Sequence, residues 1–298
     1  MNEKKPRLIS KFIWLVLIFC FSVSADAQQP TTKVELPANV ENHQLKSRLM
    51  MRDIPYRVVL PIDYKNADKK TAYPVIYLLH GLSGHFNNWT DKAKLAEYAA
   101  KYNYIIVTPE GNNGWYSDST TVPNDKFESY VIQELIPEVD KNFRTQKDRR
   151  HRAIAGLSMG GYGSIKFGLK YPEMFALVGS FSGAVGAASL TEKEVGTKGY
   201  IAESLNGVFG APESETRKKN DVFKIVREMS AEKIAALPFV YLDCGTEDFL
   251  FQNNRDFVNL LVEKKVKHEF RQLPGAHDWK FWDAQVQEFL ELSEKFIK

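Results

Sequence analysis

The chain has 298 residues, 44% hydrophobic, 26% charged and 12% aromatic, with 40 Lys and Arg against 37 Asp and Glu for a formal net charge of +3. That is ordinary globular composition, which argues against a collagen-like, disordered or polytopic membrane chain. So small a net charge also argues against nucleic-acid binding, and two cysteines without zinc-type spacing give neither a disulfide scaffold nor a metal site.

Residues 1–27 read as a secretory signal peptide. Lys4, Lys5, Arg7 and Lys11 precede the apolar run Phe12 to Phe21, and Ala25-Asp26-Ala27 supplies a small-x-small cleavage site. The run is too short to span about 30 Å of hydrocarbon as a helix, so no membrane association is expected after cleavage. The expected location is secreted or periplasmic. Residues 28–298 then form one domain, and Cys244 is left as a lone thiol.

From Val58 onward, short β-rich runs alternate with helical patterns. Candidate strands are 56–60, 74–79, 104–108, 152–156, 176–180, 238–243 and 268–273. Several are apolar throughout, as strands buried on both faces must be. Between them, apolar residues recur at helical spacing: Leu95, Tyr98, Ala99 and Tyr102; Val131, Ile132, Leu135, Ile136 and Val139; Phe257, Leu260 and Leu261; Trp282, Val286, Phe289 and Leu290. The alternation predicts an α/β fold, a mostly parallel central sheet with helices on both faces, and ligands bind such sheets beyond the carboxyl ends of the strands. Residues 184–236 interrupt the rhythm. Short helices are expected there, serving either as a lid over the site or as an excursion packed away from it. The basic run Arg144, Lys147, Arg149, Arg150 and Arg152 reads as a solvated loop on the opposite edge.

Gly156-Leu157-Ser158-Met159-Gly160 fits G-x-S-x-G, and its context gives the match weight: a strand precedes Ser158 and a helix follows it. A serine hydroxyl becomes nucleophilic when a base takes its proton and an acid orients that base. His43, His80, His85, His151, His268 and His277 are the available bases. His277 is favoured because its loop, Pro274 to Trp279, follows the last strand on the functional edge. The acid should follow the strand 238–243, where Asp243, Glu247 and Asp248 compete. Asp248 has the reach, Asp243 is expected to turn inward, and Glu247 to face solvent. His80-Gly81-Leu82-Ser83-Gly84 follows the strand 74–79, so the Leu82 and Met159 amides are the candidate donors to an oxyanion.

Together with Gly245-Thr246-Glu247-Asp248 and Gly275-Ala276-His277-Asp278-Trp279, these motifs resemble the esterase D branch of the α/β-hydrolases, which includes S-formylglutathione hydrolases, tributyrin-type and feruloyl esterases and mycolyltransferases. The likeness covers nearly all of the mature chain. It implies the α/β-hydrolase fold, the triad Ser158, His277 and Asp248, oxyanion donors at Leu82 and Met159, and no metal or organic cofactor. The expected activity is hydrolysis of short-chain acyl or aryl esters, acetyl- or feruloyl-type, of small molecules or glycans. Rival readings are an acyltransferase of the mycolyltransferase type and a non-catalytic carbohydrate-binding module. His85, Trp115, Tyr116 and Trp279 are the candidate walls of the substrate pocket.

Overall fold

The computed structural model describes residues 36–297; the signal-peptide reading of residues 1–27 lies outside them. The strands are β1 (Val40–Ser47), β2 (Arg52–Val59), β3 (Val75–Leu79), β4 (Ile105–Pro109), β5 (Arg152–Leu157), β6 (Leu177–Phe181), β7 (Phe239–Gly245) and β8 (His268–Leu273). They form an eight-stranded sheet in the order β1-β2-β4-β3-β5-β6-β7-β8. The β1–β2 and β2–β4 pairs are antiparallel, and every later pair is parallel.

The apolar runs explain the layering. All five residues of β3 are buried, and they alternate between the two faces. Val75, Tyr77 and Leu79 share one core with the helix Met159–Lys170 and with Val226 and Phe257; Ile76 and Leu78 share the other with Trp89, Trp282 and Phe289. Because the parallel strands run the same way, the segments after β3, β5, β7 and β8 leave the sheet at one edge.

Two sequence expectations need correction. The strand 56–60 extends back to Arg52 and pairs with β1, an edge strand whose half-exposed residues show no strong apolar pattern. The basic run is also no free loop. Arg152 is buried and pairs with Asp140 at 2.7 Å, Arg149 donates to Phe175 O and Ala236 O, and the Arg144 guanidinium lies 4.1 Å from the centre of the Tyr64 ring. These cations close the end of the sheet opposite the site by capping backbone carbonyls.

Residues 184–236 fold into short helices, including Tyr200–Phe209 and Val222–Glu228. The later part packs into the core, with the Phe223 ring 5.1 Å from that of Phe257.

A buried ion pair anchors the loop after β4. Lys166 is fully buried, and its ammonium donates to Tyr116 O (2.6 Å), Ser117 Oγ (2.5 Å) and Glu128 Oε2 (2.8 Å). This holds Trp115 and Tyr116 in left-handed backbone, at φ 49° and 47°. Burial alone would raise the Glu128 carboxyl, but Lys166 and Lys170 outweigh it and hold the group at about 2, below its usual 4.5. A carboxyl lowered in this way contributes stability that is complete above pH 4.5 and is lost as pH falls toward 2. Glu128→Gln should therefore lower stability at pH 7 by about 3–5 kcal/mol, because the Lys166 charge loses its partner. It should also flatten the loss between pH 5 and 3. Urea unfolding of both proteins across that range checks this, and identical acid profiles would refute it.

Candidate active site

β5 ends at Leu157 and the next helix begins at Met159, so Ser158 alone makes the turn, at φ 53° and ψ −115°. An L residue stays there only where its surroundings enforce the conformation. The Ser158 N–H donates to Phe181 O at 3.0 Å, and its carbonyl accepts from Tyr162 N and Ala184 N. The turn also needs bare backbone on both sides: a Cβ on Gly160 would lie 2.6 Å from Leu79 O. The motif glycines thus allow the helix to start directly against β3.

The loops after β7 and β8 bring the other two groups to Ser158. His277 Nε2 lies 3.0 Å from Ser158 Oγ, and His277 Nδ1 lies 2.8 Å from Asp248 Oδ2. The Asp248 side chain is wholly buried, and its other oxygen accepts from the Leu250 N–H at 2.8 Å. Burial pushes the Asp248 carboxyl up, but hydrogen bonds from His277, the Leu250 amide and the Ser182 hydroxyl outweigh it and hold the group below the usual carboxylate range. An ionised carboxylate only accepts, so Nδ1 carries the ring proton and Nε2 is free to accept from the Ser158 hydroxyl.

Of the competing acids, Asp243 is fully buried inside the sheet, where desolvation drives its carboxyl well above its usual value and toward the neutral form. Glu247 ties the two loops together. It accepts from the Gly275 N–H, while its own N–H donates to Gly275 O at 2.9 Å. The remaining histidines lie elsewhere: His43 stacks on Tyr56, His151 meets Asp148 at 2.9 Å, and His268 meets Val266 O.

Gly81 lies against Ser158, where an added Cβ would sit 3.3 Å from the serine Cβ. The next residue, Leu82, and Met159 have backbone N–H groups with no acceptor among the described residues. Buried His80 fastens this loop. Its Nδ1 donates to Gly81 O at 2.7 Å, and its Nε2 accepts from the Gly111 N–H at 2.8 Å. Burial behind the loop makes His80 a brace.

A cleft of about 820 Å³ opens over Ser158 and His277. Trp115 and Trp279 line it, and Trp282, Tyr200 and Phe249 add aromatic surface that the pocket expectation did not include. The Phe249 ring lies 4.7 Å from His277 although three-quarters of the residue is exposed. Ala184, Leu190 and Tyr200 place the first part of the insertion on the same wall. Two pocket candidates fall outside the cleft. Tyr116 is completely buried, its hydroxyl donating to His80 O at 3.1 Å, because the left-handed turn that sends Trp115 to the cleft sends Tyr116 into the core. His85 faces a neighbouring groove and lies 3.4 Å from Glu110.

The sheet order, the turn at Ser158 and the three side chains in series define an α/β-hydrolase fold. Solved structures share it: a ferulic acid esterase aligns with a TM-score of 0.74 at 28% identity, over 87% of this chain and 98% of its own. FphF, a Staphylococcus aureus fluorophosphonate-binding serine hydrolase, aligns at 0.75 and 24% identity, over 85% of this chain and 97% of its own. A sequence model of the Esterase family matches residues 47–291, and the chain belongs to that family. It is 30% identical to an acetyl esterase of Caldicellulosiruptor saccharolyticus over 258 residues, 84% of this chain and 96% of that protein. Family membership makes it a carboxylic ester hydrolase.

The contact between the loops is tight enough to test. A Cβ on Gly245 would lie 2.1 Å from Gly275 O, so Gly245→Ala must move the Asp248 and His277 loops apart. Overpacking of this kind costs about 1–3 kcal/mol, and a shift near 1 Å at a reacting group about 10²-fold in rate. The variant should melt several degrees lower and lose at least tenfold in kcat while remaining folded. Wild-type kcat would refute the coupling.

Proposed function

We propose that the chain is an exported serine esterase working through an acyl-enzyme, with Ser158 as nucleophile, His277 as base and Asp248 as the acid that orients it. The observation that carries this reading is the unbroken series from Asp248 Oδ2 through the His277 ring to Ser158 Oγ, at 2.8 and 3.0 Å. Ser158 Oγ attacks the ester carbonyl carbon as its proton passes to His277 Nε2. The tetrahedral oxyanion is received by the Leu82 and Met159 amides, whose N–H groups are otherwise unspent. His277 then returns the proton to the departing alcohol, and a water molecule repeats the sequence to release the acid.

The substrates that fit this reading are acetyl- or feruloyl-type esters, including those on carbohydrates. The relatives' names, acetyl esterase and ferulic acid esterase, favour them, and so does the aromatic wall around the cleft. A site in the periplasm or outside the cell follows from the leader-like residues 1–27. Among the described residues, no helix is long and apolar enough to cross a membrane.

Ser158→Ala should lower kcat on p-nitrophenyl acetate by about 10⁶-fold with the melting temperature unchanged, and Asp248→Asn by about 10⁴-fold. Retention of wild-type turnover by Ser158→Ala would sink the assignment. A parallel screen of acetyl, butyryl and feruloyl esters should give higher kcat/KM for the acetyl and feruloyl members than for butyryl.

A further inference from the structure

The helix Tyr200–Phe209 is stitched to the loop after β4 along its length. Thr120 N donates to Val208 O at 2.9 Å, the Ser119 hydroxyl to Gly207 O at 2.8 Å, and the Trp115 indole N–H to Ser204 Oγ at 3.1 Å. At its first turn the helix reaches a different loop. The Tyr200 hydroxyl accepts from Asn113 Nδ2 at 2.8 Å and shares a hydrogen bond with the Ser83 hydroxyl at 2.6 Å. Asn113 Oδ1 accepts from the Ser83 backbone N–H at 2.8 Å, closing a ring of three hydrogen bonds.

The ring grips the residue next to the candidate oxyanion donor. Ser83 has φ 60°, a conformation that a non-glycine residue keeps only under constraint, and both its N–H and its hydroxyl are held in the ring. His80 fixes the same loop from the core side through Gly81 O. Leu82 therefore lies between two clamps, one buried and one at the mouth of the cleft. An oxyanion donor works only when held where the charge develops, so the outer clamp bears on rate rather than on substrate affinity.

We propose that Tyr200 and Asn113 are positioning residues that fix the Leu82 amide for oxyanion stabilisation, so that the helical insertion completes a site whose other parts stand on the sheet. The proposal rests on the serine-esterase reading above. Tyr200 is half exposed, and Tyr200→Phe removes one hydroxyl while leaving the ring on the cleft wall.

With p-nitrophenyl acetate, Tyr200→Phe should lower kcat about tenfold or more and leave KM within about twofold. Affinity for an aryl trifluoromethyl ketone, whose adduct with the serine carries the oxyanion, should fall by the same factor as kcat/KM, with an unchanged melting temperature. Asn113→Ala should act in the same direction. The double variant should be little worse than either single one, because both break one ring. A Tyr200→Phe effect confined to KM or to the melting temperature, or ketone affinity equal to wild type, would overturn the proposal. Full activity of Ser158→Ala would overturn the reading beneath it, so the two failures are told apart by which variant misbehaves.

Discussion

The left-handed turn at Ser158 is the constraint from which the rest of the site follows. A strand and a helix meet there with Ser158 as the single residue between them, which places the hydroxyl above the sheet edge and the first amide of the helix beside it. Such backbone is unfavourable in isolation, so its neighbours must hold it. Gly156 and Gly160 allow close approach to the core strands, and Phe181 O and Ala184 N fix the two sides of the turn through hydrogen bonds. The Ala184 bond also links Ser158 to the start of the insertion, so the cleft wall and the turn share one backbone network.

The second requirement is to keep one buried carboxylate charged beside another that is not. Asp243 and Asp248 lie five residues apart around the end of β7, and their environments separate them. Asp243 is enclosed by the sheet, where desolvation raises it and outweighs the opposing pull of the Tyr241 hydroxyl, Arg271 and the Ser182 amide. Asp248 meets His277, the Leu250 amide and the Ser182 hydroxyl, and their hydrogen bonds outweigh its burial. Proximity in sequence to the end of the strand does not distinguish the two; the balance between desolvation and the donors around each carboxyl does.

The same distinction explains what the sequence makes legible. β3, β5 and β7 declare themselves because strands covered on both faces are apolar along most of their length, and the turn at Ser158 because only glycines tolerate the close backbone around it. His277 and Asp248 are readable from chain order, since each follows a strand on the functional edge. β1 is harder to see because a half-exposed edge strand needs no such pattern and its hairpin turn at residues 48–51 contains no glycine or asparagine; Met51 takes the left-handed position. Tyr116 is misplaced for a different reason. Neighbouring aromatics look equivalent in sequence, and the one that faces the cleft is decided by a pair of left-handed residues fixed by Lys166, 50 positions away. Tyr200 and Ser83 are 117 positions apart, beyond the reach of any local pattern, although a tyrosine opening a helix in an unplaced insertion is the kind of residue to inspect.

The two halves of the insertion answer to different physical demands. Val222, Val226 and Phe223 bury apolar surface against the sheet-facing helices, so their identities are bound to the stability of the domain. The earlier half presents Leu190, Tyr200 and Ile201 to the cleft, and the latter two remain about half exposed. Grouped on the cleft wall with Phe249, these apolar side chains form a contiguous surface of the kind that a ligand covers. Fold and chemistry are thus secured by the sheet, the glycine turns and the buried ion pair. Tyr200 and Ile201 on the cleft wall lie outside the core and can change without disturbing it, although Tyr200 is tied back to the loop after β3.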